Sequence, residues 1–344
     1  MKILVFGITF LLGILGYLGA SPITFDTLFQ PSLFNTSGYQ PPEASRNFRL
    51  GRGQNVDGSS EITPSPLPDP WGRMHPPRSY FVDGIIPDIE AVYNGYQSAA
   101  QLSWFISVLT RGDTFRSFIM QEIEQRNLPS EIFFLAMVES EFLVRAESSS
   151  GARGLWQFME NSMAPWMYKN SQIDERFGLV QSTRAALNKL EENYRVLGDW
   201  LLAFAAYNQG LGAISRAVER TGIRDYWELR EAGAISPQAA RYVPKILSAY
   251  LLSQELGRLG YLRDWSPPFH WTQILVPGGT GIEFLSGTTG IPLSILKLGN
   301  AHLLEGVLPP GDFQPLTIPQ RYVQPLVSML SFHPGSKPSG TSYR

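Results

Sequence analysis

Glu139 is the residue whose type and setting point most directly to chemistry. It shares one stripe of a predicted helix with Ile132, Leu135, Ala136 and Leu143. A carboxylate on an apolar stripe is unusual, because burying a charge is costly unless it is paired or neutral. Desolvation is expected to raise its pKa and keep a proton on it near neutral pH, the state a general acid requires. The plainer alternative is a structural carboxylate paired with Arg145 or Arg153. Glu141 lies about 200° further round a regular helix, so the two acids would not share a groove. It falls on a mixed face with Glu131, Phe134 and Val138, where solvation or a salt bridge is expected.

Four short motifs follow one another in a fixed order. They are Glu139-Ser140-Glu141-Phe142, then Gly151-Ala152-Arg153-Gly154-Leu155-Trp156-Gln157-Phe158, then Asp174-Glu175-Arg176, then Ala205-Ala206-Tyr207-Asn208-Gln209-Gly210. Glycines allow close approach of backbone to a ligand, and a glutamine amide offers both donors and an acceptor. Taken singly, each polar residue here is equally well read as a satisfied core group. Jointly, the set resembles the lysozyme-like catalytic domain of lytic murein transglycosylases of the soluble type, with most likeness to the membrane-bound D-type branch. The resemblance runs from about Pro87 to Gly257, half of the chain.

That resemblance implies a set of roles. The Glu-Ser dyad places the catalytic acid at Glu139. Ser148 maps onto a serine that hydrogen-bonds acid and substrate. Gln157 offers its amide to N-acetyl or hydroxyl groups, and Met159 lines the groove. Tyr207 orients the acid, Asn208 holds an acetamido group, and Tyr242, in Tyr242-Val243-Pro244-Lys245, lines the groove further on. Two positions depart from the family pattern. Trp156 stands where a methionine is usual, and Gln238-Ala239 stands where Glu-Thr usually precedes the tyrosine.

Hydrolysis of a glycosidic bond normally takes two carboxylates, and the motif set offers one convincing acid. The resembled family resolves this with a single glutamate that acts first as acid and then as base. It cleaves the MurNAc–GlcNAc β-1,4 bond of peptidoglycan and leaves a 1,6-anhydro-MurNAc end. No metal or other cofactor is implied. Two alternatives stay open: a hydrolytic muramidase of lysozyme type, with Asp174 or Glu175 as second acid, and a non-catalytic peptidoglycan-binding scaffold.

The elements that must position these residues are helical. Apolar spacing predicts helices over Ser98–Leu109 and Phe115–Gln125, and from Ser130, as N-cap, to about Leu143. Ser182 is expected to cap another helix, with Leu187, Leu190, Tyr194 and Leu197 on one face and Gly198 as its stop. Trp200–Gln209 reads as a buried helix that starts after Asp199. Ala213–Thr221 and Gln238–Leu256 follow. Seven or eight helices joined by short loops make a mainly α, lysozyme-like domain over residues 87–265.

After Pro267 the texture changes. Ile274-Leu275-Val276 and Leu316-Thr317-Ile318 read as strands that flank a short helix at Leu293–Leu298, with glycines and prolines between. Residues 266–333 are thus expected to form a small α+β module. It weakly resembles a degenerate LysM-type wall-binding repeat; the alternative is a tail packed on the catalytic domain. Residues 334–344 are expected to be disordered. Residues 21–86, broken by Pro64-Ser65-Pro66-Leu67-Pro68-Asp69-Pro70 and similar runs, read as a linker or arm.

The whole chain has 344 residues, 43% of them hydrophobic, and a net charge of −2. That balance gives no electrostatic footprint for nucleic acid. With no cysteine, disulfides and thiolate chemistry are excluded. The four histidines (His75, His270, His302, His333) are scattered without metal-ligand spacing. Lys2 and the apolar run Ile3–Leu18, closed by small residues, read as a signal peptide over residues 1–20, or as an uncleaved anchor. Either way export to the periplasm or cell envelope is expected, with peptidoglycan glycan strands as partner.

Overall fold

The helix over Ala99–Gln125 shows how sequence becomes element in this chain. Apolar spacing predicts two helices there, Ser98–Leu109 and Phe115–Gln125. The computed structural model, which describes residues 87–96, 99–258 and 269–331, shows one continuous helix of 27 residues instead. Gly112 is there for packing. A Cβ at that position would fall 2.5 to 2.9 Å from three ring carbons of Phe142. The expected signal peptide, arm and tail lie outside the described residues.

In chain order the helical part comprises α1 (Pro87–Tyr96), α2 (Ala99–Gln125), α3 (Ile132–Ser140), α4 (Leu179–Leu197), α5 (Trp200–Gln209), α6 (Leu211–Thr221), α7 (Tyr226–Glu231) and α8 (Pro237–Arg258). Then come β1 (Trp271–Pro277), α9 (Ile282–Thr289), α10 (Leu293–Gly299), β2 (Phe313–Pro319) and α11 (Val323–Ser331). Among the described residues the fold is mainly α with one two-stranded antiparallel sheet, which agrees with the mainly α class expected. The short helices α1, α7, α9 and α11 go beyond the expected set.

Three helix ends differ from expectation. Ser130 does not cap α3. Its hydroxyl lies 3.4 Å from the Glu131 carboxylate, and the helix begins two residues later after a tight turn. Ser182 lies inside α4, which begins at Leu179, and its hydroxyl donates back to the Gly178 carbonyl at 2.5 Å. The third is the end of α3, which belongs with the site. Asp199 does cap α5, accepting from the Leu202 amide at 2.7 Å.

The described residues divide into two compact units. One holds the segments up to Thr110, Met120–Val138 and Leu187–Trp265; the other holds Arg111–Ile119, Glu139–Ala186 and the segment from Ser266 onward. In the first unit α8 packs on α1 and α5, and α5 on α6. Residues Trp200 to Tyr207 of α5 are all buried, and the Trp200 ring stacks on Tyr194 at 4.3 Å. Pro244 sits within α8 and has no N–H to give the Ala240 carbonyl four residues back. The Tyr226 hydroxyl donates to that carbonyl at 3.0 Å and so fills the gap left by the proline.

In the second unit β1 and β2 pair with Ile274 opposite Leu316 and Trp271 opposite Pro319. Beneath the ribbon lies a core of Val276, Ile282, Leu285, Ile291, Leu296 and Leu316, and it includes Ile173 from the helical half of the sequence. Asn300 straps the ribbon. Its side chain accepts from the Thr317 amide at 2.8 Å and donates to the carbonyls of Thr317 and Leu296 at 2.8 and 3.0 Å. A buried side-chain amide thus stands in for a missing backbone ladder partner.

Candidate active site

Glu139 occupies the last turn of α3. Residues Ile132 to Met137 before it are buried, and Ile132, Leu135 and Ala136 of its stripe are fully so. Glu139 itself is half-buried. The apolar stripe predicts a helix running on to Leu143, but α3 stops at Ser140 because Glu141 (φ 53°) and Phe142 (φ 59°) both take left-handed backbone. Leu143 is consequently 47% exposed and leaves the stripe. Regular helix geometry therefore does not separate Glu139 from Glu141, although the salt bridge expected of Glu141 is present. That side chain is partly exposed, and its carboxylate lies 3.9 Å from the Arg111 guanidinium.

Arg145 and Arg153, the two arginines considered as partners for Glu139, make other contacts. Arg145 donates to the Ala301 carbonyl at 3.0 Å and lies over the Phe177 ring. Arg153 bonds Glu147 at 2.6 Å and Asp174 at 3.3 Å.

Residues 146–158 form a tight loop that rests on its own backbone. Arg153 and Phe158 exchange both hydrogen bonds at 3.0 and 3.1 Å, and the Gly154 amide donates to the Ala146 carbonyl at 2.9 Å. Ser140 ties this loop to the end of α3 through its hydroxyl, 2.8 Å from the Leu155 carbonyl. The reason expected for the glycines changes for one of them. Gly154 (φ 82°) approaches the protein itself, since a Cβ there would lie 1.8 Å from the Arg176 carbonyl oxygen. Gly151 (φ 87°) has nothing within 4 Å of where a Cβ would lie.

Ser148 uses its hydroxyl within this loop. The oxygen accepts from the Ala152 amide at 3.0 Å and pairs with the Ser150 hydroxyl at 3.0 Å. Gln157 donates through its amide nitrogen to the carbonyls of Gly154 and Ala146 at 2.9 and 3.3 Å. The side-chain amide orientation is fixed by these bonds, because the oxygen would be repelled there. Gln157 therefore presents an acceptor rather than a donor. Met159 is 38% exposed just beyond the loop. Trp156 is fully buried, with its indole N–H 3.0 Å from the Thr183 hydroxyl, so it is core.

An ion cluster buttresses the loop from behind. Arg176, 2% exposed, grips both Asp174 oxygens at 2.8 and 2.6 Å and reaches the Gly151 carbonyl at 3.4 Å. Burial pushes the Asp174 carboxyl up, but the Arg176 hydrogen bonds and charge, with help from Arg153, outweigh it and hold the carboxyl below its ordinary range. Asp174 is thus a fixed anion with two cationic partners, a poor candidate for second acid. Burial raises the Glu175 pKa against a bond from the Tyr168 amide at 3.0 Å.

The other expected site residues belong to the first unit. Tyr207 is buried in the last turn of α5, with Lys189 Nζ 4.5 Å from its ring centroid. Asn208 beside it is half-buried, and Tyr242 is buried in α8. Gln238, the departure from the family pattern, is exposed in the first turn of α8. Sequence reasoning missed the contribution of Arg111 and Gly112. A glycine inside a strong helical pattern is the signal available there, and by itself it reads as a break.

The chain is similar to known proteins. Residues 116–230 match the family model described as the transglycosylase SLT domain. The chain is similar to membrane-bound lytic murein transglycosylase D of Escherichia coli (strain K12), 28% identical over 236 residues, which is 67% of this chain and 51% of that protein. It is also similar to membrane-bound lytic murein transglycosylase F of Cellvibrio japonicus (strain Ueda107), 31% identical over 137 residues, 38% of this chain and 25% of that protein. Among solved structures, an inactive mutant of lytic transglycosylase Slt from Pseudomonas aeruginosa matches with a TM-score of 0.35 at 24% identity, covering 41% of this chain and 24% of that one. The chain spans about half the length of the transglycosylase D relative it matches.

Proposed function

We propose, from the transglycosylase SLT domain that this chain carries, that it is a peptidoglycan lytic transglycosylase with Glu139 as acid and then base. The observation that carries this reading is the setting of Glu139. It is the carboxylate within the last turn of the apolar α3, and it is followed by Ser140, which bonds a glycine loop whose Gly151 side is open.

The protonated Glu139 donates to the glycosidic oxygen between MurNAc and GlcNAc, and the C1–O bond breaks as positive charge develops at the anomeric carbon. The carboxylate so formed takes the proton of the MurNAc C6 hydroxyl. The C6 oxygen bonds to C1, and the product carries a 1,6-anhydro end. Glu139 ends protonated, as it began. Holding the C6 hydroxyl within reach replaces a bimolecular attack by water with a unimolecular step. No second carboxylate is needed, which fits an Asp174 already held by two guanidinium groups.

Gln157, whose amide nitrogen is already bonded to two carbonyls, accepts from a substrate N–H through its amide oxygen, and Ser148 and Met159 extend the wall. Tyr207, Asn208 and Tyr242 are proposed as substrate contacts on their motifs. Residues 266–333 are proposed as a wall-contacting module, supported by the exposed apolar side chains Leu275, Phe284 and Phe313. An envelope location, with export by the N-terminal segment, belongs to the same proposal.

The test is Glu139→Gln, which keeps size and removes the transferable proton. Release of soluble muropeptides from sacculi should fall by roughly 10²-fold or more with an unchanged circular dichroism spectrum. Activity near that of the original protein would remove Glu139 from the mechanism. Sacculus binding without release by either form would make the chain a scaffold.

A further inference from the structure

The turn that ends α3 is held in an unfavourable conformation, and the residues holding it lie about thirty positions earlier in the chain. Two consecutive non-glycine residues, Glu141 (φ 53°) and Phe142 (φ 59°), take left-handed backbone directly after Glu139-Ser140. An L side chain in that region crowds the following carbonyl, and such pairs persist only where the surroundings over-determine them. Glu141 and Phe142 have no local glycine or asparagine to ease the turn. Something outside must impose it.

Adjacent residues of α2 do so from two directions. The Arg111 guanidinium donates to the Glu141 backbone carbonyl at 2.5 Å and lies 3.9 Å from the Glu141 carboxylate. One charged group therefore grips both backbone and side chain of the first strained residue. At Gly112 the helix surface is bare, and the Phe142 ring, 1% exposed, fills the space a Cβ would take. The turn is closed by the Leu143 amide on the Ser140 carbonyl at 2.9 Å, and the Ser140 hydroxyl fastens it to Leu155 of the glycine loop. Arg111, Gly112, Glu139–Phe142 and Leu155 all belong to the second unit.

We propose that Arg111, with Gly112 beneath the Phe142 ring, is a positioning residue for the Glu139 carboxyl: it clamps the left-handed turn and so fixes where the last turn of α3 ends. This rests on the assignment of Glu139 as the acid. Without the clamp, α3 is free to continue through Glu141 toward the regular helix that its sequence favours. The Glu139 backbone would then shift relative to the glycine loop, and the proton would arrive out of line with the glycosidic oxygen. A misplacement on the scale of an ångström at a reacting group is enough for a large rate loss. Substrate contacts from Gln157 would be unaffected, since their support is the loop's own backbone.

The test compares Arg111→Met, Arg111→Lys and Arg145→Met in the full chain, with turnover on soluble peptidoglycan glycan oligomers normalised to the folded fraction. Arg111→Met keeps the stem and removes the donor, and kcat should fall at least about tenfold with KM within about twofold. Arg111→Lys returns one donor to the Glu141 carbonyl and should recover part of kcat. Arg145→Met removes another arginine-to-carbonyl bond of the same unit and should leave kcat unchanged. Original kcat in Arg111→Met, or equal losses in Arg111→Met and Arg145→Met without rescue by lysine, would overturn the clamp. An active Glu139→Gln protein would instead overturn the assignment of the acid, so the two failures are distinguishable.

Discussion

At the scale of residues, the two wall glycines make a sharp contrast. Both have positive φ, but only Gly154 is pressed against backbone, 1.8 Å from where its Cβ would meet the Arg176 carbonyl oxygen. Gly154→Ala is expected to destabilise by about 3 kcal/mol or more, since neither backbone can yield cheaply. Gly151→Ala should cost only the left-handed penalty of about 1–2 kcal/mol. Thermal denaturation of the two variants checks this, and equal shifts in Tm would contradict it. The apolar stripe singles out Glu139 but leaves a structural carboxylate open, and the resemblance of the motif set is what selects it as the proposed acid. The direction of Gln157 was not legible, because it depends on two carbonyls brought to one nitrogen by the loop's closure.

Elements were legible wherever their signals are local. Asp199 caps α5, Gly198 (φ 74°) and Gly222 (φ 73°) stop α4 and α6, and the runs at Ile274–Val276 and Leu316–Ile318 are strands, all as their near neighbours dictate. Elements fixed from a distance were not legible. Gly112 joins two apparent helices into one because Phe142 lies on it, and α3 ends early because Arg111 and Gly112 hold Glu141 and Phe142 in the turn. The start of α3 carries a further consequence. Glu131 is 4% exposed, and burial pushes its carboxyl from the ordinary 4.5 up to about 7. The folded chain thus holds that proton where the unfolded chain has released it. Its stabilising effect is full below pH 4.5 and is lost as pH rises through about 7. Glu131→Gln should therefore raise Tm at pH 8 and change it little at pH 4; a Tm gain equal at both values would contradict the shift.

At the scale of the molecule, the second unit is discontinuous in sequence, and its parts are bonded to one another. Ile173 pairs with Leu303, the Asp174 amide donates to the His302 carbonyl at 3.0 Å, and the Trp271 indole N–H reaches the Thr114 carbonyl at 2.6 Å. The residues after Ser266 thereby support the ion cluster behind the glycine loop, an arrangement that composition and periodicity could not convey. Leu316→Ala removes a fully buried side chain from that core and should cost about 2–5 kcal/mol. Hydrogen exchange should then speed up together at Ile274 and at Gly154, since both lie in one cooperative unit. Acceleration confined to the ribbon would show that it opens alone. The central claim, a lone acid that hands the anomeric carbon to the sugar's own C6 hydroxyl, is tested most directly by mass spectrometry of sacculi digested in ¹⁸O-labelled water. The account predicts MurNAc ends one water lighter than reducing ends and free of label; labelled reducing ends would contradict it and make this chain a hydrolase.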